Sequence, residues 1–212
     1  MKKFLSALCV TALSLPVYGQ DGHPSSISGN RRNFSFAWLT DVHLNSFAYA
    51  EDDLRQAVED INANPDVDFT ILSGDVTEFG ETKEFQLLEE ILKGFQKPYL
   101  LLPGNHDVNW SENGCTMFDK IFRASHFCYD WQGVRFVGCG AGPSLRMGPP
   151  HIPREEILWL DSVYNATPAA QPVIFVNHFP LNADLSNCRE VLQILKTRNT
   201  QDVLAGHLHV NR

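Results

Sequence analysis

The sequence predicts an α/β fold built on parallel strands. Two observations carry this: short apolar, β-rich runs alternate with segments of helical period, and the segments joining successive runs have the length of βαβ crossovers. A chain of 212 residues with 43% hydrophobic and 20% charged residues is long enough, and ordinary enough, for one domain with a sizeable core. No internal repeat or low-complexity tract competes with that reading.

Residues 34–40 are the first β-rich run. Residues 52–64 carry Leu54, Ala57, Val58 and Ile61 on one face at helical spacing. Residues 68–72 are a short apolar strand, residues 84–95 a second helix with Phe85, Leu88, Ile91, Leu92 and Phe95 inward, and residues 98–102 a third strand. The middle differs: runs 127–131 and 134–139 flank Gln132-Gly133, which predicts an antiparallel hairpin. Residues 140–153, rich in Gly and Pro, form a loop, and Pro153 opens a helix to about residue 164. Residues 173–177 are another strand. Asn187 with Glu190 resembles a capping box starting a helix to residue 196, and residues 203–205 are a last short strand.

The chain begins with a targeting signal. Lys2 and Lys3 precede an apolar run over 4–15 that Pro16 breaks, and Val17-Tyr18-Gly19 offers small residues for cleavage. Residues 1–19 are therefore expected as a signal peptide, 20–33 as a linker, and 34–212 as the folded domain. The apolar run is too short to span a bilayer, so the mature chain is expected in the periplasm or outside the cell, with no stable membrane insertion. Leu8 before Cys9 argues against lipid attachment.

Losing Lys2 and Lys3 with the leader takes the formal charge from −8 to −10. So acidic a surface repels phosphate backbones and excludes non-specific binding to nucleic-acid polymers. A small anionic substrate remains compatible if metal ions make a site locally positive. Cys115, Cys128, Cys139 and Cys188 remain, an even number that permits disulfides, with Cys115–Cys128 the nearest pair in sequence; buried thiols are the alternative.

Five clusters follow the strand ends: Asp41-Val42-His43, Gly74-Asp75, Gly104-Asn105-His106-Asp107, Asn177-His178 and Gly206-His207-Leu208-His209. Open α/β sheets bind ligands at that edge. Singly, each cluster is common turn chemistry. Together they hold five of the eight histidines. The donors are oxygen and imidazole without thiolate, a set that suits Mn²⁺, Fe²⁺ or Zn²⁺. Their number exceeds one tetrahedral ion and fits two ions about 3.5–4 Å apart sharing a carboxylate.

In that order, D-x-H, G-D, G-N-H-D, H and G-H-x-H, the motifs resemble those of calcineurin-like metallophosphoesterases over roughly residues 34–209. The resemblance implies a two-sheet sandwich flanked by helices and hydrolysis of phosphomonoesters or phosphodiesters. It places Asp41, His43 and His209 on one divalent ion, Asn105, His178 and His207 on a second, and Asp75 between them. It implies a metal-bound hydroxide as nucleophile. His106 would protonate or polarise the leaving oxygen, and Asp107 would orient and charge His106. Phe79 stands where Ser/Thr protein phosphatases have Arg, and Glu78 where purple acid phosphatases have a Tyr ligand. The stretches 74–85 and 101–107 look most like the class III cyclic-nucleotide phosphodiesterases. Relatives usually continue past G-H-x-H with further strands, so the chain is expected to be a shortened form. The alternative to an enzyme is a domain of the same fold that binds metal and phosphate without turnover; such domains usually lose ligands, and none is lost here.

Lesser candidates are His151 in the 140–153 loop, the N-x-S/T sequences at Asn33 and Asn165, and Trp110, Trp131 and Trp159, which are read as core residues.

Overall fold

The computed structural model describes residues 9–13, 33–45, 49–109, 116–123, 125–141 and 149–209. Two four-stranded sheets lie face to face. The first runs β1 (Cys9–Leu13), β2 (Phe34–Leu39), β3 (Phe69–Ser73), β4 (Tyr99–Leu102). Its β2–β3 and β3–β4 pairs are parallel, and β1 is antiparallel to β2. Strand β1 falls within the expected leader, so cleavage after Gly19 would expose the edge of β2. The second sheet runs β5 (His126–Trp131), β6 (Val134–Cys139), β7 (Val173–Val176), β8 (Thr200–Leu204), parallel except for the β5–β6 hairpin.

The crossovers α1 (Ala50–Ala63) and α2 (Thr82–Leu92) serve the first sheet, α5 (Arg154–Ala166) and α6 (Cys188–Leu195) the second. Leu54, Val58 and Ile61 of α1 and Phe85, Leu88, Ile91 and Leu92 of α2 bury against Ala37, Leu39 and Leu72. Ile157, Leu160 and Tyr164 of α5 and Val191, Ile194 and Leu195 of α6 bury against Val137, Val173 and Phe175. Between the sheets, Phe36, Phe69 and Phe136 meet with ring centroids 5.1–5.4 Å apart. Such pairs add about 0.5–1.5 kcal/mol each beyond their buried area. Strands alternate their faces, so one set of residues serves the inter-sheet core and the other the helix layers. The α/β two-sheet sandwich is thus the fold, with helices outside both sheets.

Local chemistry explains where elements differ from the sequence reading. In the hairpin, Gln132 (φ 48°) and Gly133 (φ 83°) take the two left-handed positions of a two-residue turn. Helix α2 stops at Leu92 because the amides of Gly94 and Phe95 turn back to Ile91 and Leu92, and Phe95 packs on the core from beyond the helix. The capping box forms at α2, where Glu84 accepts from the amide of Glu81. It does not form at Asn187, whose side chain instead bonds both backbone groups of Ile152. Two helices, α3 (Asn105–Asn109) and α4 (Met117–Phe122), occupy stretches without a readable period. Cys128, Cys139 and Cys188 are free thiols; Cys115 and Trp110 lie outside the described residues. Trp131 and Trp159 are half-buried against the cores. Among the described residues no helix is long and apolar enough to cross a membrane.

Candidate metal centre

The loops leaving β2 and β3 stay paired beyond the strands. Asp41 N–H donates to the Gly74 carbonyl (3.1 Å), His43 to Asp75 (2.9 Å), Leu44 to Val76 (3.0 Å), and Glu78 to Leu44 (3.2 Å). In the second sheet, Asn177 N–H donates to Leu204 (3.1 Å) and Gly206 N–H to His178 (2.9 Å). At these ends the chain turns through left-handed conformations. Asp41 (55°), His43 (51°), Asp75 (49°), His207 (71°) and His209 (49°) all have positive φ, as do only Arg123 and Gln132 among other described non-glycine residues. Such backbone costs of order 1–3 kcal/mol per residue and gathers at functional sites. Two glycines permit the approach: a Cβ at Gly104 would strike Asp75, and one at Gly206 would strike Thr40 and Asp41.

Among the described residues the result is three groups of three: the two that follow, and His43 with Glu78 and His106, which shares His43 with the first. Asp41, His43 and His209 place ligand-type atoms within 4.8 Å of one another, as do Asp75, His178 and His207. In the first group His43 Nε2 lies 3.3 Å from His209 Nε2, which lies 3.4 Å from Asp41 Oδ1. In the second, His178 Nε2 lies 3.1 Å from Asp75 Oδ2. The same Oδ2 lies 4.0 Å from His43 Nε2, so Asp75 stands between the groups. Asp41 also accepts from the His207 amide through both oxygens (2.9 and 3.0 Å) and from the Thr40 hydroxyl (2.9 Å), tying one sheet to the other.

The donor arrangement fits a cation. His178 Nδ1 lies 3.0 Å from the Ser73 carbonyl. A carbonyl only accepts, so Nδ1 carries the proton and Nε2 turns a lone pair toward a carboxylate. That facing pair, buried and without an aligned hydrogen bond, is stable only with positive charge between or on it. Asn105 Oδ1 is likewise buried with no hydrogen-bond partner. Burial works against the charged form of His178, but Asp75 and Asp41 outweigh it and raise its pKa. Burial also opposes ionisation of Asp75, yet His178 and the His106 amide, 2.8 Å from Oδ1, hold its pKa below the ordinary value. Burial lowers the pKa of His207, helped by His178, and that of His43. The shifts at His43, His207 and Asp75 favour the forms that ligate metal, neutral imidazoles and an ionised carboxylate, whereas His178 would give up its Nε2 proton to an arriving ion.

The structure gives Asp107 partners other than the expected His106. Fully buried, its carboxylate accepts from the Gly104 amide (2.7 Å), the Thr77 amide (2.8 Å) and hydroxyl (2.7 Å), and the Val76 amide (3.3 Å). Burial and the nearby Asp75 charge push its pKa up to about 6. Asp107 therefore binds the 74–77 loop to the 104–107 loop. His106 Nδ1 instead lies 2.7 Å from the Glu78 carbonyl. Glu78, with no motif to mark it, also brings Oε2 to 2.8 Å from His43 Nδ1, close but not lined up as a hydrogen bond. His151 is outside the centre; it is exposed and bonds the Ser186 hydroxyl (2.9 Å).

A four-layer sandwich whose strand ends gather Asp and His into two adjoining groups is that of a metallophosphoesterase. The chain belongs to the calcineurin-like phosphoesterase family, whose sequence profile matches residues 34–211. It is similar to the probable glycerophosphodiester phosphodiesterase GpdQ of Arcobacter nitrofigilis, 26% identical over 204 residues that cover 81% of this chain and 70% of that protein. It is also similar to a probable cyclic nucleotide phosphodiesterase of Ruthia magnifica, 25% identical over 82% of this chain and 78% of that one. A 3',5'-cyclic-nucleotide phosphodiesterase of Nostoc sp. is 22% identical over 82% of this chain and 71% of its own. Among solved structures, the phosphopantetheinyl hydrolase of Mycobacterium tuberculosis shares the fold at a TM-score of 0.53 and 17% identity, over 82% of this chain and 83% of that one. The chain is a hydrolase of phosphoric esters, of a family that uses divalent metals.

Proposed function

We propose that this chain hydrolyses small phosphate esters, diesters foremost, at a centre of two divalent ions. The observation that carries this reading is Asp75 Oδ2, placed 3.1 Å from a histidine of one group and 4.0 Å from a histidine of the other. One carboxylate oxygen so placed would serve two ions. Asp41, His43 and His209 would hold the first, and Asn105, His178 and His207 the second, each of them Mn²⁺, Fe²⁺ or Zn²⁺. When bound, such a pair activates water at neutral pH and neutralises phosphoryl oxygens.

The residues do the rest. The Ser73 carbonyl fixes His178, and the His207 amide and Thr40 hydroxyl fix Asp41, so the ligands are set before substrate arrives. The Glu78 carbonyl holds the Nδ1 proton of His106. With Nδ1 so held, the doubly protonated ring is the form that carries an Nε2 proton to pass to the leaving ester oxygen, leaving the neutral Nδ1–H ring behind, a step worth about 10²–10⁴-fold in rate. The names of the relatives support a diester substrate. The signal-like pattern of residues 1–19, two lysines before a short apolar run, supports export and so a substrate met outside the cytoplasm.

The purified chain should hydrolyse bis(p-nitrophenyl) phosphate after addition of Mn²⁺, and EDTA should abolish turnover. No hydrolysis with Mn²⁺, Zn²⁺, Fe²⁺ or Ni²⁺ over a broad panel of monoesters and diesters would overturn the reading.

A further inference from the structure

Glu78 lies in a loop with no motif of its own, yet it touches two histidines of the centre. Its carboxylate Oε2 is 2.8 Å from His43 Nδ1, its other oxygen is 3.9 Å from His106 Nδ1, and its main-chain oxygen is 2.7 Å from that same nitrogen. The two imidazoles meet edge to face, with centroids 4.6 Å apart and an interplanar angle of 84°. We propose that Glu78 is a positioning residue for both: its carboxylate fixes His43 as a metal ligand through Nε2, and its carbonyl fixes the proton of His106. The proposal rests on the two-ion reading given above.

The chemistry follows from the imidazole. A neutral ring has one N–H and one lone pair. A carboxylate beside His43 Nδ1 favours the proton there and leaves the lone pair on Nε2. That nitrogen faces the centre, 3.3 Å from His209 Nε2 and 4.0 Å from Asp75 Oδ2. The carbonyl beside His106 can only accept, so it draws the proton of that ring to Nδ1 as well. Carboxylates behind ligating histidines set ring orientation and basicity in metal sites generally.

Glu78 is itself held in place. Its amide donates to the Leu44 carbonyl at 3.2 Å, which ties it to the loop carrying His43. Just after it, the buried Glu84 accepts from the amides of Phe79 (3.0 Å) and Glu81 (3.1 Å). The Glu78 side chain is 26% exposed, so its charge is partly shielded from solvent. The same loop thus sets a ligand and the proposed proton donor with one residue, its side chain serving the first and its main chain the second.

The test is calorimetric titration of the metal-free wild type, Glu78→Gln and Glu78→Ala with Zn²⁺, beside ¹⁵N-histidine NMR of the Zn²⁺-loaded forms. In Glu78→Ala one of the two affinities should fall about 10–100-fold while the other holds, and Glu78→Gln should fall less because its amide oxygen keeps a partial negative charge beside Nδ1. His106 should show the Nδ1–H form in all three, since the main-chain carbonyl is unchanged. Unaltered affinities in Glu78→Ala, or an equal fall in both with a lowered melting temperature, would overturn the carboxylate role. An Nε2–H form of His106 in the wild type would overturn the carbonyl role. A wild type that does not bind two ions would overturn the two-ion reading, and this proposal with it.

Discussion

The group of Asp75, His178 and His207 sits inside the molecule, whereas that of Asp41, His43 and His209 opens outward. His178 has no exposed side-chain surface, while the His209 side chain is 55% exposed. His178 is anchored to Ser73 and flanked by Phe179 at a ring distance of 5.2 Å. Among the described residues, the polar partners of the His209 ring are Asp41 and His43, members of its own group. Both groups use the same strand-end geometry and the same residue types. Pre-ordering is what separates them. A ligand already fixed gives its full binding energy to the ion, while a mobile one spends part of it on being ordered. On the two-ion reading, the strand ends of the two sheets would therefore offer one firm and one softer position.

Asp75 is the place where the comparison should collapse. Its Oδ2 reaches both groups, so Asp75→Asn should weaken both ions together, each by at least about 100-fold, beyond the range for residues that merely support a ligand. Metal content by inductively coupled plasma and turnover of a phosphodiester would check it. A variant that keeps two ions and full rate would break the account of a shared oxygen.

Asp107 sharpens the comparison from the protein side. Replacing it with alanine leaves the Gly104, Val76 and Thr77 amides and the Thr77 hydroxyl without their acceptor. Each buried group so stranded costs about 1–3 kcal/mol before relaxation. Urea unfolding of the metal-free Asp107→Ala variant should show a loss of about 3 kcal/mol or more. A loss under about 1 kcal/mol would mean that the two loops do not depend on this clamp.

The ligand-type residues and the residues that hold them were unequally legible in sequence. Asp41, His43, Asp75, His178, His207 and His209 follow strands, and period and β-branched runs locate strands well enough to place their ends. The positive φ values at five of those positions are turn chemistry that Asp tolerates and that Gly74 and Gly206 announce. Glu78 was marked only as standing where purple acid phosphatases have a Tyr ligand; its contacts with His43 and His106 escaped, because those histidines lie far away in sequence. Asp107 was legible as a residue of the centre, but its partners were not. Hydrogen bonds from three loop amides and the Thr77 hydroxyl arise from packing that adjacency to His106 does not reveal. Asn187 failed the same way: its side chain found the backbone of Ile152, across two loops, instead of its own helix.

The claim that the two positions differ is tested most directly by titrating the metal-free chain with Mn²⁺, as wild type and as His209→Ala. The account predicts two binding events of unequal affinity in the wild type, with the weaker one lost in His209→Ala and the tighter one kept. Two ions of equal affinity, or loss of the tighter event on removing His209, would contradict it.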